Sequence, residues 1–482
     1  MESSNRPNIW LIMADQFRGD CLGIAGHPDV QTPYLDTLAA NGVRFENAVS
    51  ACPTCIPARA AALTGMSQEK NGRVGYQDGV DWNYPHTLAG ELTRAGYQTR
   101  CVGKMHVHPL RSNQGFEEVE LHDGYLHYYR DPSLPAYESQ FLADDYMHWL
   151  KTELGADADI IDTGMECNSL VSRPWCYEEK YHPTNWVAAR SIDFFRKRDR
   201  TRPFFLMSSF VRPHPPFDAP SCYFDLYRNR ALRPPYTADW DDASRLLHGG
   251  RIAGSVTGFS DPELQRQSQI GYYACITQLD HQIGRIYQTL EEQKLYDNTL
   301  IVFVSDHGEM LSDHHFARKS LPYNGSMRVP LIVSGGAVDP EVRGTTRDFV
   351  AELRDLMPTL LQSAGAPIPD SVDGVSLWGE IRSPGSEKRE FIHGEHNGGF
   401  PNHFIVTKED KYIWFADTGK EQYFRNEDYE EKFDRIADPA YAERIAYLRR
   451  LLIEQLTGRP EGFTDGKNLI PGRPYGALIP WK

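Results

Sequence analysis

The chain has 482 residues, with 51 Lys and Arg against 66 Asp and Glu, for a formal net charge of −15. This length exceeds a typical single domain, so a large domain with a smaller companion is expected. The acidic balance argues against a broad face for nucleic acid or an anionic membrane, so an anionic ligand would have to be drawn in by a local cationic cleft.

From the N-terminus, Met1 to Asn8 is short and polar, and Ile9 to Met13 is too brief an apolar run for a signal-peptide core or a membrane span. A cytoplasmic protein is therefore expected. Ile9 to Met13 instead reads as a strand buried on both faces of a parallel sheet, ending at Asp15-Gln16. A helix is predicted over Pro33 to Asn41, with Gly42 as its stop.

Next comes Cys52-Pro53-Thr54-Cys55-Ile56-Pro57-Ala58-Arg59, running on to Leu63-Thr64-Gly65. Pro57 suits a first helical turn and Ala58 to Leu63 are strong helix formers, so Cys55 falls at or just before a helix N-terminus. Free N–H groups there stabilise a thiolate or a bound oxyanion, with Arg59 one turn in. A Cys-x-x-Cys redox pair and a buried structural cysteine fit the same residues.

Tyr97 to Val102 reads as a strand after a helix ending near Gly96, and it leads into Gly103-Lys104-Met105-His106. Pro203 to Val211 is another, running into Arg212-Pro213-His214. Ser260-Asp261-Pro262-Glu263 has the capping-box form, and Ile276, Leu279, Ile283, Ile286 and Leu290 then repeat at helical spacing. That helix leads to the strand Leu300 to Val304 and to Ser305-Asp306-His307-Gly308-Glu309. Alternating helix and strand implies parallel crossovers in an α/β sandwich.

Asp15, Lys104, His106, His214, Asp306 and His307 thus all follow carboxyl ends of predicted strands, where open α/β sheets bind ligands. Leu121 to Pro183 and Arg228 to Phe259 are irregular and read as functional loops. Past Ile381, Phe391–His393, His403–Thr407 and Lys411–Phe415 look like strands of a small antiparallel sheet. Pro439 to Leu456 reads as an amphipathic helix with Ala440, Ala442, Ile445, Leu448 and Leu452 on one side, and Gly458 to Lys482 as a tail. The division is therefore 1–380 and 381–482. Gly394-Glu395-His396-Asn397 is either a solvated loop or an approach to the pocket.

Cys-x-Pro-x-Arg followed by Leu-Thr-Gly, at Cys55, Pro57, Arg59, Leu63, Thr64 and Gly65, resembles the signature of the type I sulfatases of the alkaline phosphatase superfamily. The resemblance implies that superfamily's fold: an α/β sandwich with a large, mostly parallel sheet flanked by helices, plus a small C-terminal α+β domain. It also implies that a maturation enzyme oxidises Cys55 to Cα-formylglycine. Asp15, Asp306 and His307 then fall on metal positions together with residue 55. Gln16 stands where many sulfatases carry a second aspartate, which removes one negative charge. The expected cofactor is one divalent cation, Ca²⁺ first, with Mg²⁺ and Mn²⁺ left open.

In the same resemblance, Lys104 and His106 match a Gly-Lys-x-His element that contacts formylglycine and sulfate oxygens. His214 and Lys319 match the remaining histidine and lysine, and Arg59 completes the catalytic set. One hydroxyl of the hydrated aldehyde attacks sulfur, and the other loses a proton to His106 and expels sulfate. The implied activity is hydrolysis of a small aryl or sugar O-sulfate. The alternative is a phosphonate monoester or phosphodiester hydrolase with the same site, whose members typically lack the Gly-Lys-x-His element. A further alternative is a non-catalytic binding protein. A sulfate ester and the maturation enzyme are the expected partners, with no nucleic acid and no membrane, and a homo-oligomer is left open.

Overall fold

The computed structural model describes residues 6–124, 144–160, 168, 170–242 and 256–480. Of the two stretches that read as irregular, 125–143 and 243–255 in particular lie outside the described residues, and the first is not irregular throughout, since Asp145–Leu154 is helical. Eight strands form one sheet: β1 (Asn8–Asp15), β2 (Gly42–Val49), β3 (Gln98–Gly103), β4 (Glu118–Leu121), β5 (Phe204–Pro213), β6 (Thr299–Ser305), β7 (Leu331–Ser334) and β8 (Thr345–Glu352). Their order is β4-β3-β5-β1-β6-β7-β2-β8. All pairs are parallel except those made by β7, which runs antiparallel to both β6 and β2. The expected mostly parallel sandwich is therefore present.

β1 is buried at every position, and its side chains alternate between two cores. Trp10 and Ile12 face one core with α3 (Pro183–Lys197) and the long α4 (Pro262–Glu292). Ile9, Leu11 and Met13 face the other, with α2 (Cys55–Thr64) and α5 (Leu356–Ser363). Each central strand is thus covered by helices on both sides, as βαβ crossovers require.

Several boundaries differ from expectation. α1 spans Pro33–Ala40 and is closed by Asn41; Gly42 is no stop but opens β2. At the start of α4 the cap is Asp261, whose carboxylate accepts from the Glu263 N–H at 2.8 Å with Pro262 in the first turn, and no box forms around Ser260.

A second sheet carries β9 (Ile392–His396), β10 (Asn402–Val406), β11 (Asp410–Phe415) and β12 (Glu421–Arg425), all antiparallel. One face packs α6 (Ala442–Leu456) through Ile445, Leu448 and Leu452. The predicted Ile445, Leu448 and Leu452 face is buried and widened by Leu451 and Leu456, while Ala440, which precedes the helix, and Ala442, its first residue, are exposed. The other face shares a core with Val49 of β2 and with Ala51, Met310 and Phe316 of the large sheet's loops. The tail folds back on the body, where the Ile479 N–H donates to the Gly72 carbonyl at 2.9 Å and the Val74 N–H to the Ala477 carbonyl at 2.9 Å. Among the described residues no helix is long and apolar enough to cross a membrane.

One buried acid ties α1 to α4. Asp280 accepts from the N–H groups of Tyr34 (3.1 Å) and Leu35 (2.7 Å), and burial outweighs these bonds to push its carboxyl up to about 8. A folded-state value above the unfolded one gives a contribution that is complete below about pH 4 and is lost as pH rises through about 8. Between pH 5 and 8, the stability of the wild type should therefore fall relative to Asp280→Asn, by at most ~1.4 kcal/mol per pH unit. Urea unfolding of both proteins across that range measures the difference.

Candidate active site

β3, β5, β1 and β6 are consecutive in the sheet, so the residues after their carboxyl ends meet at one edge. The register pairs Ala14 with Ser305 and Asp15 with Pro213, which sets Asp15 beside Asp306 and near His214. Close approach of β3 and β5 demands Gly103: its φ is +100°, and a Cβ there would stand 1.9 Å from the Ser209 carbonyl oxygen. Gln16 (φ 70°) and His106 (φ 60°) also hold left-handed backbone that non-glycine residues rarely adopt.

α2 begins at Cys55 after Thr54 and ends at Gly65, whose N–H bonds the Ala61 carbonyl. The helix N-terminus predicted for the thiol is therefore present. Carboxylate oxygens of Asp15 and Asp306, a ring nitrogen of His307 and Cys55 Sγ all lie within 4.8 Å of one another, and all four residues are buried. Sγ is 3.2 Å from His307 Nε2, 3.4 Å from Lys319 Nζ and 3.8 Å from Asp15 Oδ1.

Each acid divides its oxygens between a cation and the centre. Asp15 Oδ2 pairs with Lys104, while Oδ1 lies 3.4 Å from His307 Nε2. Asp306 Oδ2 accepts from Arg59 Nε at 2.9 Å, and Oδ1, 3.6 Å from His307 Nε2, accepts from the Gln16 and His307 N–H groups. His307 Nδ1 faces the Gly308 carbonyl at 3.0 Å and so donates there, which turns Nε2 toward the centre. Gln16 Oε1 accepts from Lys319 at 2.6 Å, while its Nε2 donates to Glu309. Glu309 in turn is held by the Leu311 and Arg318 N–H groups.

Two carboxylate oxygens, an amide oxygen and an imidazole nitrogen are donors that suit a divalent cation. The residues present therefore fit a metal beside residue 55.

The electrostatics match this arrangement. Burial and Asp15 push the Cys55 thiol up, but Lys104, Lys319 and His307 together hold it well below the usual thiol range. Burial also opposes ionisation of Asp15, and Lys104 above all, with Lys319 and His307, overcomes it. Asp306, raised by burial and by Asp15, is the weaker acid of the pair. His214 is pushed well down by burial and Lys319, against the pull of Asp15, and stays neutral. Its Nδ1 contacts the Pro215 carbonyl at 2.8 Å.

The structure thus brings together Asp15, Gln16, Cys55, Arg59, Lys104, Asp306, His307 and Lys319, with His214 beside Asp15. His106 stands further out: it is buried, its ring nitrogens make no hydrogen bond among the described residues, and Asp78 Oδ2 is 3.9 Å away. Sequence reasoning missed Asp123, whose Oδ1 accepts the Met105 and His106 N–H groups and so shapes that turn. It missed Ser209, which accepts from Arg59 at 2.9 Å, and it gave Glu309 no role although it quoted the run containing it. Cys52 is separate, a buried thiol that burial and Glu395 push up.

A model of the family described as sulfatase matches residues 7–366. An arylsulfatase of Clostridium perfringens is 49% identical over 98% of this chain and 99% of its own length. An N-acetylglucosamine-6-O-sulfatase of Bacteroides thetaiotaomicron is 25% identical over 97% of this chain and 89% of its own length. Among solved structures, a phosphonate monoester hydrolase of Agrobacterium radiobacter aligns with a TM-score of 0.76 at 25% identity, covering 97% of this chain and 100% of that one.

Arg59 and Asp306 are both fully buried. Arg59→Ala would leave a buried carboxylate uncompensated and should destabilise the metal-free protein by about 3–5 kcal/mol, measured by denaturant unfolding in chelator.

Proposed function

Because this chain belongs to the sulfatase family and is a sulfuric ester hydrolase, we propose that it works through residue 55, matured from Cys55 to Cα-formylglycine, on small aryl or sugar O-sulfates. The observation that carries this reading is the seat of Cys55 Sγ: at the start of α2, clustered with donor atoms of Asp15, Asp306 and His307 that all lie within 4.8 Å of one another, and 3.4 Å from Lys319. Sγ stands in for an oxygen of the matured side chain. The catalytic domain is taken as 1–380 and the C-terminal α+β domain as 381–482, which the separate core under β9–β12 supports.

Asp15, Gln16, Asp306 and His307 would hold one divalent cation with residue 55. When bound, it would act as a Lewis acid on sulfate and favour an ionised oxygen nucleophile. The amide of Gln16 in place of a carboxylate leaves less negative charge in the site, so Mg²⁺ and Mn²⁺ remain candidates beside Ca²⁺.

The chain's own groups supply the rest. Lys104, Lys319 and Arg59 place positive charge around a tetrahedral anion, and so stabilise the charge that grows on the leaving oxygen. Lys319 is the proton donor for that oxygen, with neutral His214 beside Asp15, and the unbonded ring of His106 is the acceptor for the proton given up when sulfate departs. Arg59 fixes Asp306, and Asp123 fixes the backbone that presents His106.

Kinetics of formylglycine-verified enzyme on 4-nitrophenyl sulfate, monosaccharide sulfates, a phosphonate monoester and a phosphodiester test the reading. Sulfate esters should be preferred, and a phosphonate preference of several orders of magnitude would reverse the assignment. Cys55→Ala should bind ester yet lose turnover by roughly 10⁶-fold, as when a catalytic nucleophile is removed. Glu309→Gln, which frees the Gln16 amide to rotate, should weaken Ca²⁺, Mg²⁺ or Mn²⁺ binding by ~10–100-fold in calorimetric titration.

A further inference from the structure

The second sheet reaches the site. Its Gly394-Glu395-His396-Asn397 stretch is neither solvated nor a loop until its end, since Gly394 to His396 close β9. The Glu395 N–H donates to the Ala51 carbonyl at 2.8 Å, four residues before Cys55. On the other arm of the hairpin, Asn402 Nδ2 donates to the Ser320 carbonyl at 3.1 Å, and the Ser320 N–H donates to the Pro53 carbonyl at 2.9 Å. The hairpin tip is therefore fastened beside both Lys319 and the entry to α2.

At that tip, His396 and Asn397 are only 5% and 2% exposed, yet both ring nitrogens and both amide atoms lack a hydrogen-bond partner among the described residues. Their positions are tightly set. The Asn397 N–H donates to the Val74 carbonyl at 2.6 Å, and a Cβ on Gly75 would stand 2.2 Å from the Asn397 carbonyl oxygen, so only glycine fits. Next in the chain, the ring of Tyr76 packs edge-on to His106 at 5.9 Å. Buried polar atoms without partners are costly, and ligand hydroxyls would offset that cost.

We propose that the tip of the β9–β10 hairpin is the leaving-group subsite, where His396 and Asn397 hydrogen-bond the hydroxyls of a neutral sugar whose sulfate lies against residue 55. This rests on the sulfate-ester reading above and names its substrate class. An imidazole and an amide offer donors and acceptors together, which is what hydroxyls need. They give no countercharge to a carboxylate or an ammonium group. An unsubstituted aryl ring would leave all four atoms unpaired, and sites built to bond hydroxyls discriminate strongly against such ligands.

The test is kcat/KM for wild type, His396→Ala, Asn397→Ala and the near-isosteric Asn397→Asp. All are measured as mature, formylglycine-verified protein on 4-nitrophenyl sulfate, glucose 6-sulfate, N-acetylglucosamine 6-sulfate and galactose 4-sulfate. At least one sugar sulfate should be a substrate, and on it each alanine variant should lose at least ten times more activity than on the aryl ester, chiefly through KM. Equal losses on both classes would mean a structural role and overturn the proposal. So would wild-type turnover of the aryl ester with none of any sugar sulfate, a result that leaves the sulfatase reading standing. Failure on every sulfate ester would sink both readings together. If an alanine variant does not fold, the Asn397→Asp selectivity ratio decides: a sugar-specific loss supports the subsite, and an unchanged ratio overturns it.

Discussion

Charge confined where water cannot reach governs this molecule. Asp15 and Asp306 are wholly buried at the edge of the large sheet, with Lys104, Arg59, Lys319 and His307 packed against them and the Cys55 thiol. An uncompensated ion in that position would cost several kcal/mol, so the strands must deliver these groups together or the fold loses stability. The sheet order meets the demand by placing β3, β5, β1 and β6 side by side, and Gly103 lets two of them close up. The outcome is a cationic cleft in a chain whose net charge is −15, so attraction for an anionic sulfate ester is local.

Much of this centre was legible in the sequence because it depends on short-range rules. A continuous apolar run followed by an acid marks a buried strand and its end, and proline and alanine after Cys55 mark the helix start. β2 escaped notice because GVRFENAV mixes exposed Glu46 with buried neighbours and lacks a clean period. α6 buries the predicted Ile445, Leu448 and Leu452 face, but Ala440 and Ala442 stay exposed because they sit before or at its first residue, where the helix does not yet meet the sheet.

The supporting groups had no local signature. Glu309 matters because the chain folds back to set it under the Gln16 amide, and Asp123 because it meets the Met105–His106 turn from another strand's end. His396 and Asn397 lie more than 300 residues from Cys55 in sequence, and only the docking of β9 on Ala51 brings them near. The motif therefore reveals the reacting end of the substrate, whereas the identity of the departing group is set by long-range packing of the smaller sheet.

The most direct test of the account is anomalous diffraction from crystals of the mature protein grown with Mn²⁺. One strong peak among the Asp15, Gln16, Asp306 and His307 side chains, with an oxygen of residue 55 within ligand distance, is the predicted result. No peak there at saturating Mn²⁺, or residue 55 standing clear of the ion, would contradict it.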